Sequence, residues 1–297
     1  MSALITSSFE IPNSISQGIF EKAQKGSTLA RLSGARPQKF GKQTAWVLTA
    51  PPKAEIVGEG GKKSPTPATY APKTINPIKL QVTMRASQEV QWADEDVQIG
   101  VLQDLAANAG IALGRALDLV GIHKINPLSG TVSELVKEGL VDATQIATLT
   151  NEKYDQAIEA AAGTIISSGY TPSGVAMDTS LSFGLSTMRD NQGKKLYPEI
   201  GFGQNLSNFE GMNVAVSDTV SAKNEIASPS NLLGIVGQFD AFRWGVQRNI
   251  GAHLIEYGDP DGLGDLQRQN QIAIRAEIVY GIGIMAMDAF CKVVKGA

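Results

Sequence analysis

The chain has 297 residues, 42% hydrophobic and 19% charged, which excludes an intrinsically disordered protein. Its 26 Lys and Arg stand against 29 Asp and Glu, for a net charge of −3 with no long basic run. That excludes a tight nucleic-acid binder with a basic stripe, so any DNA contact is expected to be weak and non-specific.

The only cysteine, Cys291, rules out an internal disulfide and a Cys-rich metal site, and fits assembly in a reducing cytoplasm. The start, Met1 to Thr6, has no basic region followed by an apolar core and does not read as a signal peptide. No stretch approaches about 18 uninterrupted apolar residues. The best, 278–290, is broken by Gly281, Gly283 and Asp288, so no transmembrane helix is expected. A compact globule of this mass would expose about 12,000 Å², and projecting segments would raise that value.

In chain order, Asn13 can cap a short helix over 14–25 carrying Ile15, Ile19 and Phe20 on one face, ended by Gly26. With so few apolar groups it is expected to lie as an arm along a partner or along its own subunit. Thr44 to Ala50 reads as a strand from its β-branched and aromatic content. Ile78, Leu80, Val82 and Met84 alternate with polar residues as a second, half-buried strand. Between them, 51–73 holds Pro51, Pro52, Pro65, Pro67, Pro72, Gly58, Gly60 and Gly61. So long a connection without an apolar pattern is unusual inside a compact domain. A hairpin arm of about 15 residues per side reaches about 50 Å at strand rise, and it is expected to leave the subunit and lie on a neighbour.

A long helix follows over about 93–121, with Leu102, Leu105, Ala109, Ala112, Leu113, Ala116, Leu117 and Val120 spaced by three and four. Asp94, Glu95 and Asp96 favour its N-terminal dipole, and Gly121 and Pro127 mark its end. Thr150 or Asn151 can cap a helix with Tyr154, Ile158, Ala161 and Ile165. Asp178 can cap another with Leu181, Leu185 and Met188. Strands are expected at Met212–Val216 and Leu232–Phe239, as short pieces at Phe242–Gln247 and His253–Tyr257, and along Ile272–Tyr280. Separate helices with antiparallel-looking strands argue for an α+β fold.

Motifs that carry chemistry are missing. His123 and His253 have no HExxH spacing and read as structural or surface histidines. Gly281-Ile282-Gly283-Ile284-Met285-Ala286 matches a dinucleotide pattern, but 11 residues after it leave no room for a βαβ unit. Its glycines read as a strand bend or a close approach. In Gly58-Glu59-Gly60-Gly61-Lys62-Lys63-Ser64, Lys62 occupies the position a phosphate loop reserves for Gly, so the motif fails. Asp240, Glu256, Asp259, Asp261 and Asp265 are scattered, and Gly258 to Gly262 is turn chemistry without calcium-loop spacing. No catalytic, cofactor or metal site is expected.

Three stretches carry a resemblance. They are Ala54 to Lys63, an apolar pair before a Gly-Glu-Gly tip; Met84 to Glu89 before the long Ala/Leu helix ending Asp118-Leu119-Val120-Gly121; and Gly237 to Phe242 with Ile274 to Glu277 and Met287 to Phe290. In order and spacing the chain resembles the major capsid proteins of tailed bacteriophages, the fold first seen in the Hong Kong ninety-seven phage. The resemblance implies an N-terminal arm over 1–40 and an extended β-hairpin loop over 41–80. It implies a peripheral domain from 81–150 and 243–285 that holds the spine helix, and an axial domain from 151–242 and 286–297. It also implies pentamers and hexamers closing into an icosahedral shell around double-stranded DNA, with scaffolding, portal and decoration proteins as partners and no membrane. The location implied is the virion capsid, assembled in the bacterial host cytoplasm.

The inter-subunit contacts are expected at Trp46, Val47, Ile56, Val57, Glu59, Lys62 and Lys63 of the loop, and at Ile15, Ile19 and Phe20 of the arm. The alternative for Trp46 is packing on its own subunit. Some relatives carry a cleaved scaffolding segment ahead of the arm or cross-link through a Lys–Asn bond. Here the arm begins almost at Met1, and no matching Asn and Glu partners are found. An encapsulin-type compartment, a cytosolic enzyme with 51–73 as a lid, and a tail-tube or other phage structural protein remain as alternatives.

Overall fold

A computed structural model of the chain describes residues 26–50, 52–92, 95–200, 206–226 and 230–296. The helix expected over 14–25 lies outside them. The chain exposes 16983 Å², well above the ~12,000 Å² of a compact globule of its mass.

The long Ala/Leu periodicity becomes α2, Glu95–His123, 29 residues or about 44 Å. It follows the single-turn α1, Thr28–Leu32. Within α2, Gln103–His123 is long and apolar enough to span a membrane by composition, with mean hydropathy 1.4, yet 67% of that window is buried in the protein. Its apolarity serves the core. Ala109, Leu113, Leu117 and Val120 are buried with Phe239, Phe242, Trp244, Ile278 and Tyr280.

The surface α2 covers is a four-stranded sheet, ordered β1-β2-β11-β10 and antiparallel throughout. Its strands are β1 (Gln43–Ala50), β2 (Thr69–Ser87), β10 (Phe242–Ile255) and β11 (Gln271–Ile284). β2 begins nine residues before the Ile78–Arg85 alternation that announces it. Among the described residues its first half pairs only with β1 and its second only with β11, so each half keeps an edge that no described strand covers. That is where a strand tolerates prolines such as Pro72 and Pro77. β10 is one strand where the sequence suggested two. Register shifts at Val246/Arg248 and Asn249/Gly251 break the period-two pattern without breaking the pairing.

A six-stranded mixed sheet, β5-β12-β9-β6-β8-β7, forms the second core. It consists of β5 (Gln145–Leu149), β6 (Gly174–Met177), β7 (Asn208–Phe209), β8 (Met212–Val216), β9 (Leu232–Gly237) and β12 (Phe290–Lys295). Against it pack α3, Tyr154–Ser167, through Ile158, Ala161 and Ile165, and α4, Thr179–Thr187, through Leu181 and Leu185. Asp178 caps α4 as expected, accepting from the Ser180 N–H at 2.8 Å. α3 opens differently. Lys153 is its N-cap and makes no side-chain cap bond, because Asn151 and Glu152 both take left-handed conformations in the turn before it. A small hairpin, β3 (Ile125–Asn126) and β4 (Thr131–Val132), follows α2.

Candidate assembly surface

The limb between β1 and β2 has no regular structure over 52–68, and every residue from 52 to 70 is exposed. Its tip is a turn closed by Gly61 N–H donating to Gly58 O at 2.9 Å, with Gly60 at φ +77°. A side chain at Gly61 would press on Val57 Cγ1 and the Gly58 carbonyl, so the tight tip needs glycine there. Below it, Glu55 Oε1 accepts from Ser64 N–H at 2.7 Å and bridges the two sides. Ile56 is 104% exposed and touches no core, while Val57 is 37% exposed. Among the described residues no ion pair uses Glu59, Lys62 or Lys63. Trp46 is 69% exposed, so packing on its own subunit does not account for it. Trp46 and Val47 fall on opposite faces of β1, as neighbours in a strand must. Ile15, Ile19 and Phe20 lie outside the described residues.

The base of the limb is fixed by the segment that precedes it. Residues 33–41 run along β10. Ser33 Oγ donates to Phe242 O at 2.7 Å, Trp244 Nε1 to Ser33 O at 2.8 Å, and Arg36 N–H to Trp244 O at 2.9 Å. Gly41 and Gln247 exchange two further bonds of 2.9 and 3.0 Å. The crossing depends on missing side chains. A Cβ at Gly245 would strike the Arg36 carbonyl, one at Gly281 would strike Gln38, and Gly245 and Gly281 are directly paired. The glycines of the dinucleotide-like motif thus mark close packing, Gly281 against the Gln38 and Gln247 side chains and Gly283 against Ile75.

Upstream, α1 is held by Asp118 in the middle of the core. Its carboxylate accepts from Ser27 Oγ (2.6 Å), Thr28 N–H (2.8 Å), Leu29 N–H (2.9 Å) and Thr219 Oγ1 (2.9 Å). Burial pushes this carboxyl above the usual range, against the pull of its four hydrogen bonds. One turn earlier on α2, Arg115 grips Asp218 with two bonds of 2.7 and 3.0 Å and also reaches Glu225. Its guanidinium holds the Asp218 carboxyl below the usual carboxylate range. At the far end of the sheet Arg85 gathers the loop between β10 and β11. It binds Asp261, meets Asp259 at 3.3 Å, and donates to Gln269 Oε1 at 2.7 Å and Gly264 O at 2.8 Å. These locks pair residues 89 to 184 positions apart, which no local motif announces.

A body of two cores fixed in this way, with a bare limb projecting from it, has the architecture of a subunit in a protein shell. Residues 8–295 match the family model of the phage capsid family, and the chain belongs to that family. A probable major capsid protein, gp17, of Mycobacterium phage D29 is 22% identical over 283 residues, 91% of this chain and 85% of that protein. A chain in a solved structure of Mycobacterium phage Ogopogo is 51% identical with a TM-score of 0.80, covering 91% of this chain and 92% of that one. A chain of Gordonia phage Cozz is 29% identical with a TM-score of 0.79, covering 91% and 87%. The protein is therefore a structural one, a major capsid protein of the tailed-phage type that assembles with its own copies into the virion shell. The resemblance seen in the sequence is confirmed, and the enzyme and tail-tube alternatives fall.

Proposed function

We propose that the limb over 41–80 clasps an adjacent copy of the subunit and so sets the spacing of an icosahedral shell. The observation that carries this reading is the limb itself, exposed from 52 to 70 and tipped by Ile56 and Val57. A shell multiplies modest contacts, so each can stay reversible while errors anneal. Apolar groups supply the strength. Glu59, Lys62 and Lys63 can pair across subunits, but exposed pairs contribute only about 0–1 kcal/mol each, so they set register. Ile15, Ile19 and Phe20 of the N-terminal arm would add contacts of the same kind.

On this reading copies form pentamers and hexamers in the host cytoplasm, helped by scaffolding and portal proteins, and enclose double-stranded DNA held by weak contacts. A decoration protein can add to the outside. The core around α2 corresponds to the peripheral domain, and the six-stranded core to the axial one. Deleting 52–72 is expected to leave a soluble, folded protein that closes no shells. Normal particles from that variant in electron micrographs would refute the reading.

A further inference from the structure

The four-stranded sheet carries one face from its body into the limb. Directly opposed residues in an antiparallel pair share a face. The register therefore puts Thr44 with Thr74, Trp46 with Pro72, and Leu48 with Tyr70 on one side. Side chains two apart along a strand keep that side, so the same face of β2 continues into Asn76, Ile78, Leu80 and Val82. In the body this face is covered, because Ile78 is buried in the core that α2 builds and Leu80 and Val82 pack against it. A cleft of about 330 Å³ marks where the cover ends. Thr74, Asn76 and Ile78 form one wall, and Val136, Lys137 and Glu138 form another. Beyond Thr74 the face is bare, with Pro72, Tyr70, Trp46 and Leu48 all exposed.

The composition of this strip decides what fits it. No charged residue stands on it between the Thr44–Thr74 and Leu48–Tyr70 pairs, so it offers nothing to a phosphate backbone. Contiguous exposed apolar surface marks an interaction site, and Trp and Tyr are the residues that anchor protein interfaces. The opposite face carries Ala45, Val47, Ala71 and Lys73, which are small or charged and half-buried. The chain belongs to a family whose members are capsid subunits, so the surface at hand to complete the face is that of another subunit.

We propose that Trp46, Leu48, Tyr70 and Pro72 form the docking face of the limb, laid against an apolar surface of a second copy. The second copy continues over the limb the layer that α2 and residues 136–138 provide over the body. The face through Val47 and Ala71 is turned away. This rests on the reading that the limb clasps an adjacent copy, and adds which side of the limb does so.

Variants with one added cysteine test it, because the native thiol, Cys291, is buried. Leu48→Cys and Tyr70→Cys report one face, Val47→Cys and Ala71→Cys the other, and the unsubstituted protein gives the background. Maleimide labelling is measured on free subunits and on particles assembled from the purified chain. The 48 and 70 thiols are expected to label about tenfold or more slowly in particles, as at a water-excluding interface core, with the 47 and 71 thiols unchanged. Protection of 47 and 71 alone, or of all four alike, overturns the face assignment and leaves the clasp standing. Protection of none overturns both. Should a variant not assemble, acrylamide quenching of the unsubstituted protein against Trp46→Phe gives a second readout. The Trp46 emission is expected to be quenchable in subunits and shielded in particles, and equal quenching in both overturns the proposal.

Discussion

Asp118 Oδ1, near the C-terminal end of the spine helix, accepts a hydrogen bond from Ser27 Oγ at 2.6 Å across 91 positions of sequence. With Thr28 and Leu29 N–H and the Thr219 hydroxyl on the same carboxylate, one buried side chain fixes where the chain's first described helix begins. It also ties that helix to the turn after β8. The limb is aimed from there, since residues 33–41 leave α1, cross the sheet and enter β1.

Asp118→Ala removes the acceptor for four buried donors. Unsatisfied buried donors cost about 1–3 kcal/mol each before relaxation, so a net loss of about 2–4 kcal/mol is expected in urea unfolding. The Thr28 and Leu29 amides should exchange faster with solvent. Asp118→Asn keeps one acceptor oxygen and should fall between. The carboxyl is raised in the folded state, so its contribution is full below the ordinary Asp range and declines as pH rises through the folded value. Because Asn does not titrate, its gap from wild type should therefore be widest at acid pH and narrow as pH rises. Equal stability of all three proteins would show that the node holds nothing.

Gly245 makes a separate prediction about the crossing. Gly245→Ala sets a Cβ on the Arg36 carbonyl, a backbone atom that cannot swing aside. The segment 33–41 must lift or β10 must shift, at about 1–3 kcal/mol. Limited proteolysis should then cut within 34–42 while the six-stranded core stays resistant. Gly281→Ala meets the flexible end of Gln38 instead and should be milder. An unchanged digestion pattern for Gly245→Ala would show that the close approach does not hold the segment.

How much of this could be read beforehand divides along physical lines. The periodic apolar helices and the Asp178 cap were legible, because each is specified within a few residues. The exposed limb was legible from Pro51 to Pro72, where the chain shows no pattern that a core could use. The first half of β2 is not, since its exposed face carries Tyr70, Pro72 and Thr74 and its half-buried face Ala71 and Lys73, which together show no apolar alternation. β10 looks like two strands in sequence because its irregular register hides its period. Trp46 was legible as apolar, but its exposure follows from where the helix-side cover ends at Thr74. The Asp118, Arg115 and Arg85 locks lay beyond reach, each joining residues far apart in sequence.

His123 gives the chain a pH dependence near neutrality. It is buried, and its Nε2–H donates to Val220 O at 2.8 Å. Burial holds the imidazole below its ordinary value, against the backbone carbonyls and Glu225. A group lowered in the folded state contributes stability above its unfolded value, about 6.5, and loses it as pH falls through the folded one. Melting temperature should drop from pH 7 toward pH 5. His123→Gln, which can still donate to Val220 O, should flatten that slope.

Arg85 organises the β10–β11 loop. Its guanidinium reaches Asp259, Asp261, Gln269, Gln271 and the Gly264 carbonyl, a share of the work a bound cation does elsewhere. The same contact draws the Asp261 carboxyl down to about 2. A depressed carboxyl stabilises above its unfolded value, about 3.9, and the effect fades as pH falls through the folded one. The loop should hold its shape at pH 5 and loosen only between about pH 4 and pH 2. Arg85→Ala should loosen it at every pH, seen as faster amide exchange at Gly262, Leu263 and Gln269 with the β11 amides still protected. Arg85→Lys offers one point charge in place of a planar fork and cannot reach five acceptors, so it should restore little. Full restoration by lysine would mean that charge alone, and not the fork, shapes the loop.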